Sequence, residues 1–357
     1  MRNTEVQTKR KIYIDFLKII AIYMVLFNHT HEDGFLFFTV ARTSRLYALY
    51  MFNAVLIKIA VPLFFMASGA LLLGKEEPYK DLLIKRFLKY VIILIAGSAV
   101  VYLYTCLRLD PQEMSIRQFL EKLYTTNMIE AYWYIYAYLA YILMLPLLRK
   151  MAKNMTDADY KWMFLMFGIM QSLSIVDFLL FKGEARHNSN FSFFITANYV
   201  FYPLAGYYID QKSEKTFTYK KALVLVVSSI MAIIISCLMT QYKCTMFDEW
   251  TESTCQTFFS VLIFLPAFTV FYIVKMWFIN LEPDSRVCKT ITTVGEATLG
   301  IYLIEQICRL ETSQIFIWLR PYIHTLPACW IWILSACIFG AVITLILKQI
   351  PGIKKFL

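Results

Sequence analysis

Three ionisable residues, Asp15, Lys18 and His29, interrupt the apolar segment KIYIDFLKIIAIYMVLFNHT at positions 11–30. A helix advances about 100° and 1.5 Å per residue, so Lys18 and His29 share one face and differ by about 16 Å in depth. An ionisable side chain at membrane depth costs roughly 2.5 to 3.5 kcal/mol, which makes each of them a candidate functional residue. The lysine could hold an anionic ligand, and a neutral histidine could take a proton from a hydroxyl group. The alternative is an interfacial Asp15–Lys18 ion pair with His29 at the interface.

Further candidates lie in other apolar segments, and their expected depth divides all of them into two groups. The group expected toward the cytosol is Asp15, Lys18, Ser68 and Arg86. The group expected toward the outside is His29, Lys58, Trp133 and Glu305. Cations suit an anionic cofactor that arrives from the cytosol, and a histidine beside a carboxylate suits proton abstraction at the outer face. The plainer alternatives are Arg86 as a basic loop residue, Trp133 as an interface anchor, and Glu305 as the partner of Arg309 one helical turn on.

The elements that must position these residues are membrane helices. The 357 residues are 59% hydrophobic and only 17% charged, which indicates a polytopic membrane protein of the all-α class. Apolar runs long enough to cross the bilayer predict about ten transmembrane helices in one bundle, at 12–29, 54–73, 90–107, 131–148, 161–181, 191–209, 222–241, 256–277, 291–309 and 325–347. We expect a single membrane domain over 1–357 without a fused soluble domain, and no cleavable signal peptide.

The charge distribution indicates the orientation of the bundle. Most of the 35 Lys and Arg residues lie in the terminal segments and in alternate short loops. Basic loops stay on the cytoplasmic side, so both termini are expected to be cytoplasmic. The net charge of +10 is spread over separate loops without interleaved aromatic residues, which argues against a nucleic-acid partner.

Cysteine and histidine usage argues against a metal site. Eight Cys show no CxxC spacing, and the chain has only four His. Cys244 and Cys255 fall in an expected external loop, where a disulfide could persist; free thiols are the alternative.

Five segments, in order along nearly the whole chain, resemble acyltransferase family 3, the integral membrane O-acyltransferases. In the first helix, Asp15, Lys18 and His29 align with the Asp, Arg and His of that family. VPLFFMASGALLL resembles its Phe-Phe-x-x-Ser-Gly segment, and IKRFLKY resembles the Arg-rich stretch that follows. YWYIYAYLAYILMLPLL, NYVFYPLAGYYI and LGIYLIEQI resemble its later helices. Two positions depart from the family: Lys18 replaces the usual Arg, and Glu305 stands where a His is common.

The resemblance implies transfer of an acyl group, most often acetyl, from cytosolic acyl-CoA to a hydroxyl of a cell-surface glycan or its lipid-linked precursor. It implies acetyl-CoA as donor, no metal, and a bacterial cell membrane as the location. The expected roles are general base for His29, with Glu305 beside it, and cofactor binding for Lys18, Arg86 and Ser68. Asp15 would orient Lys18, and Trp133 and Lys58 would contact the acceptor.

Three alternatives stay open. Catalysis could pass through a covalent acyl-His29. The same polar line could instead conduct a small molecule such as an amino acid, as in a transporter or permease, although no pair of Gly/Pro-broken helices marks two halves of the chain. A structural membrane subunit would explain the topology but not the five resembling segments.

Overall fold

The structure, a computed structural model, describes residues 10–109, 114–182, 186–188, 198–212, 218–248, 250, 260–278, 281 and 285–357. These residues form helices joined by turns, with no β-strand among them, which confirms the all-α prediction. Cys255 lies outside the described residues, so its pairing with the buried Cys244 stays a prediction.

We number the helices of ten residues or more in chain order. They are α1 Ile12–Asn28, α2 Tyr47–Ile57, α3 Ala60–Leu72, α4 Leu88–Tyr104, α5 Ile116–Thr125, α6 Trp133–Asn154, α7 Asp157–Phe181, α8 Asn198–Tyr207, α9 Tyr219–Phe247, α10 Val261–Phe278, α11 Arg286–Leu303, α12 Glu305–Leu319 and α13 Thr325–Leu347.

Seven helical stretches within the described residues are long and apolar enough to cross a membrane. They are Tyr47–Leu72, Tyr79–Leu109, Glu130–Asn154, Asp157–Phe181, Tyr219–Phe247, Val261–Phe278 and Thr325–Leu347. The predicted spans 12–29 and 291–309 overlap α1 and α11, which are shorter or more polar. The first seven residues of the predicted span 191–209 lie outside the described residues, and α8 covers most of the rest. The protein is therefore a multi-pass integral membrane protein. The number of ten crossings and the cytoplasmic position of both termini stay predictions.

Helix α1 occupies the centre of the bundle, where it packs against α3, α10, α11 and α13. Its approach to α11 depends on a glycine, since a Cβ atom at Gly295 would lie only 2.5 Å from the Cβ of Asp15. A glycine is equally necessary where α3 meets α8, because a Cβ at Gly69 would lie 1.8 Å from the carbonyl oxygen of Pro203. Small residues let membrane helices approach closely, and here they bring α1 and α3 against their neighbours.

Two helix interruptions lie at the same end of the bundle. The first is a turn at Lys58 and Ile59, between α2 and α3. It follows from Pro62, which has no N–H to donate to the carbonyl of Lys58 and whose ring crowds that carbonyl. The second is at Ile304, where α11 ends and α12 begins.

The second interruption divides a predicted span into two helices. The backbone leaves the helical conformation at Ile304, so residues 291–309 are not one continuous helix, and their crossing of the membrane stays a prediction. The Leu303 carbonyl beside the break accepts a hydrogen bond of 2.6 Å from the Tyr132 hydroxyl. A backbone carbonyl released from a helix inside a membrane needs such a partner. The break makes Glu305 the first residue of α12, where a carboxylate is favoured by the positive end of the helix dipole.

Candidate functional site

His29 and Glu305 lie next to each other, as the sequence analysis suggested they could. His29 Nδ1 is 3.5 Å from Glu305 Oε1, and the two side chains are only 7% and 2% exposed. This distance exceeds that of an ordinary hydrogen bond, and Nδ1 has no hydrogen-bond partner within the described residues. Catalytic hydrogen bonds are often long before substrate binds. A small movement of the imidazole ring would let Nδ1 donate to the carboxylate and leave Nε2 available as a base.

Arg309 joins both members of this pair. Its Nε donates to Glu305 Oε2 at 2.7 Å, and its Nη1 donates to the backbone carbonyl of His29 at 2.5 Å. That carbonyl lies at the C-terminal end of α1, where a cation is favoured by the helix dipole. The pairing of Glu305 with Arg309 and its contact with His29, which the sequence presented as alternatives, therefore occur together.

A cavity of about 160 Å³ opens in front of His29 and is called the His29 cavity here. Two other predicted residues, Lys58 and Trp133, line it. The Lys58 ammonium lies 4.4 Å from the centroid of the Phe35 ring, in a cation–π contact. Asn28 and Glu130, which the sequence analysis did not select, also line this cavity. Its wall thus combines a histidine with hydrogen-bonding and aromatic side chains.

A second cavity has a volume of about 410 Å³ and is called the Lys18 cavity. Lys18, Ser68 and Arg86 line it, so the structure brings the three predicted cofactor-binding residues together. Lys75 and Lys89 add two cations that the sequence analysis missed. Both lie in or beside basic loops, where positive-inside topology gave a sufficient reason for their presence.

Asp15 and Gly295 hold the Lys18 ammonium in place. Lys18 Nζ is 2.8 Å from Asp15 Oδ1 and 3.3 Å from the carbonyl oxygen of Gly295. Arg10 Nε donates to the other carboxylate oxygen of Asp15 at 2.7 Å. The Lys18 side chain remains 23% exposed and borders the cavity, so its third proton can reach a ligand.

Arg86, which was expected to bind the cofactor, is paired with a carboxylate of the protein. Its Nε donates to Glu77 Oε2 at 2.7 Å, and its Nη2 donates to the other carboxylate oxygen. Arg149 also donates to Glu77, from Nη2 at 3.0 Å. A bidentate pair of this kind uses two of the five guanidinium protons, so Arg86 can offer a ligand only the remainder. This pairing could not be predicted from the sequence, because Glu77 lies among loop residues nine positions away.

We expect Glu77→Gln to lower the thermal stability of the protein in detergent, because Arg86 and Arg149 would lose their shared carboxylate. Hydrogen bonds from Arg86 lower the pKa of Glu77 to about 2, from an ordinary value of 4.5. The stabilisation is therefore complete above pH 4.5 and is lost as the pH falls from there toward 2. Unfolding curves from pH 7 to pH 3 should show the difference between wild type and variant shrinking below pH 4.5.

Glu76→Gln provides the matched control. Its side chain is 84% exposed and pairs with Lys153 alone, so it should change stability much less. If the difference in thermal stability between wild type and Glu77→Gln stays constant down to pH 3, the ionised Glu77 carboxylate is not the source of the stabilisation.

Three aromatic residues, Phe64, Tyr134 and Tyr302, line both cavities. None of the three was among the residues selected from the sequence. The only available signal was position, since Tyr134 follows the candidate Trp133 and Tyr302 precedes Glu305 by three residues. The cation-lined Lys18 cavity and the His29 cavity thus lie on opposite sides of these rings.

Comparison with known proteins identifies the family of this chain. The model of the family described as an acyltransferase domain matches residues 11–348, which include every candidate residue discussed above. No curated protein and no solved structure matches the chain. With nearly the whole sequence matched, from the residue before α1 to the end of α13, the chain belongs to acyltransferase family 3.

Proposed function

We propose that this membrane acyltransferase moves an acyl group, in the first instance acetyl, from acyl-CoA to a hydroxyl group of a cell-surface glycan or of its lipid-linked precursor. One observation carries the proposal: a buried histidine with a carboxylate behind it lines one cavity, and a second, cation-lined cavity lies beyond three shared aromatic rings. The first arrangement suits a base, and the second suits an anionic donor.

The acceptor is expected in the His29 cavity. Its volume of about 160 Å³ corresponds to roughly five water molecules at ~30 Å³ each, which is space for the hydroxyl-bearing part of a sugar. Trp133 offers an apolar face of the kind that packs against a sugar ring, while Asn28 and Glu130 can bond its hydroxyl groups. The acceptor hydroxyl would approach Nε2 of His29, the ring nitrogen opposite Glu305.

The donor is expected in the Lys18 cavity, whose cations fit a polyanion such as coenzyme A. Lys18, Lys75 and Lys89 offer ammonium groups, and Arg86 offers its remaining N–H groups. Lys18 is the deepest of these in the bundle and is held by Asp15, so it can serve as a fixed donor to a phosphate or carbonyl oxygen.

The reaction that fits these groups is a direct acyl transfer. His29 Nε2 takes the proton of the acceptor hydroxyl while its oxygen forms a bond to the thioester carbonyl carbon. Glu305, held by Arg309, stabilises the imidazolium that results. The carbon–sulfur bond then breaks, and the imidazolium returns its proton to the departing thiolate. The products are an ester and free CoA, and His29 ends neutral as it began.

Membranes that contain the protein, incubated with acyl-CoA labelled in the acyl group, provide the test. Ester-linked label in surface glycan or lipid-linked glycan supports the proposal. Accumulation of an unmodified small molecule in vesicles, without ester-linked label, would instead support the transporter alternative. Label that is found on His29 in a rapidly quenched sample would replace direct transfer with a covalent acyl-enzyme.

We expect Lys18→Ala to raise the KM for acyl-CoA, with a smaller effect on kcat, because it removes a fixed positive charge from the Lys18 cavity. Lys18→Arg should be tolerated, since charge is the main requirement. Initial rates against acyl-CoA concentration would distinguish them. An unchanged KM in Lys18→Ala would indicate that Lys18 serves only its ion pair with Asp15.

A further inference from the structure

The two cavities follow each other along the same helices. On the face of α3 and the turn before it, Lys58 and Val61 line the His29 cavity, and Ser68 lines the Lys18 cavity. Phe64 lies between them and lines both. These positions are three or four residues apart, so they form one stripe on the helix surface. The stripe runs from the wall of one cavity to the wall of the other, and the Phe64 ring lies between them.

The same order appears on α6 and α11. On α6, Trp133 lines the His29 cavity, Tyr138 lines the Lys18 cavity, and Tyr134 lines both. On α11, Thr298 lines only the Lys18 cavity, whereas Tyr302 lines both. Three helices therefore each contribute one ring at the same level.

We infer that Phe64, Tyr134 and Tyr302 form an aromatic gate between the donor and acceptor cavities, and that this gate sets the size of the acyl group that can reach His29. The inference rests on the proposed function, because it assumes that the acyl group enters from the Lys18 cavity. The ring centroids of Phe64 and Tyr134 lie 5.8 Å apart, and those of Tyr134 and Tyr302 lie 6.0 Å apart. Rings at these separations are in contact, so no chain passes between Phe64 and Tyr134 or between Tyr134 and Tyr302.

The three rings are not held equally. Tyr302 is buried, its hydroxyl donates to the carbonyl oxygen of Ala131, and its ring stacks on Tyr132. Tyr134 packs against Phe65, with ring centroids 4.9 Å apart, and stacks on Tyr138. Phe64 has no polar group to anchor it and is only partly buried. Tyr302 and Tyr134 thus form the fixed sides of the gate, and rotation of Phe64 would open it.

A gate of this kind favours short acyl groups. To let an acetyl group pass, the rings need to separate by little more than the width of one methyl group. A longer acyl group also requires space between the rings for each additional methylene. A tight apolar site discriminates between two substrates that differ by one methylene by about 10- to 200-fold. The narrow gate therefore provides a physical reason for a preference for acetyl that no polar residue in either cavity supplies.

The first experiment compares acetyl-CoA with hexanoyl-CoA as donors for the full-length protein in membranes. We expect Phe64→Ala and Tyr134→Ala to raise the ratio of hexanoyl to acetyl transfer by about tenfold or more. Tyr134→Phe keeps the ring and should keep the wild-type ratio. Tyr90→Ala is the matched control, because Tyr90 lines the Lys18 cavity alone and its removal widens the donor site without opening the gate. Wild-type ratios in Phe64→Ala and Tyr134→Ala, with acetyl transfer retained, would overturn the inference.

The second experiment does not depend on catalysis. Single reporters, Val61→Cys in the His29 cavity and Ser68→Cys in the Lys18 cavity, are treated with a charged, membrane-impermeant thiol reagent from either side. The protein without a reporter gives the background from its own cysteines. We expect the two reporters to react from opposite sides, and Tyr134→Ala to make each reactive from both. Reaction of both reporters from the same side in the presence of all three rings would rule out a gate.

The two experiments separate failure of the gate from failure of the proposed function. If wild type transfers no acyl group from any donor, acyl selection is overturned together with the proposed function. The side of the membrane from which each reporter cysteine reacts would still show whether the three rings separate the two cavities.

Discussion

His29→Gln is expected to lower the rate of acyl transfer by about 10²- to 10⁴-fold, the range that a general base contributes, while the protein still inserts and accumulates. The substituted amide fills similar space but cannot take a proton from the acceptor hydroxyl at neutral pH. The backbone carbonyl that Arg309 binds remains, so the end of α1 keeps its partner. Transfer of labelled acyl groups, normalised to the amount of protein in the membrane, measures the effect.

A second histidine offers the control. His187 also pairs with a carboxylate, with its Nδ1 2.5 Å from Asp177 Oδ2, but it does not line the His29 cavity. His187→Gln therefore removes a carboxylate-paired imidazole without touching the proposed base and should leave transfer near the wild-type rate. Wild-type transfer by His29→Gln would remove His29 from the mechanism.

Arg309→Leu is expected to destabilise the protein by about 3–5 kcal/mol, because removal of one partner leaves a buried charge without compensation. Glu305 is 2% exposed, and Arg309 is the cation that its Oε2 contacts. The same change removes the hydrogen bond to the His29 carbonyl, so we also expect transfer to fall. Unfolding in detergent and the transfer assay measure the two effects separately.

The double variant Glu305→Leu/Arg309→Leu distinguishes structure from chemistry. Replacing both members of a buried ion pair by apolar residues is often close to neutral for stability. We therefore expect the double variant to regain most of the lost stability but not the transfer activity, since the carboxylate beside His29 is gone. Recovery of both would show that Glu305 anchors the helix and has no part in catalysis.

Much of the site could be predicted from helical periodicity alone. The eleven-residue spacing of Lys18 and His29 places them on one face of α1, and the structure puts them at two neighbouring cavities. The break at Ile304 could not be predicted, because no Gly or Pro marks it in the sequence. It depends on the Tyr132 hydroxyl, which comes from another helix and replaces the lost backbone partner.

The same reason explains the other omissions. The pairing of Arg86 with Glu77 depends on how a loop folds back, which local propensity does not determine. The three gate residues are aromatic in a chain that holds 24 Tyr and 29 Phe, so their type carries no information until three helices place them at one level. Spacing within one helix is predictable, whereas convergence between helices is not.

The gate residues also decide where a membrane voltage would act on this protein. If ions and water reach the polar walls of both cavities, most of the potential falls across the thin layer of Phe64, Tyr134 and Tyr302 instead of the full ~30 Å of hydrocarbon. In the proposed reaction the acyl group leaves its bonding electron pair on sulfur, so it carries the equivalent of one positive charge one way while the acceptor's proton carries one the other way, and each turnover is electroneutral. The extent of acyl transfer at equilibrium should therefore be the same in energised and de-energised vesicles, even though the reacting groups sit in the strongest part of the field.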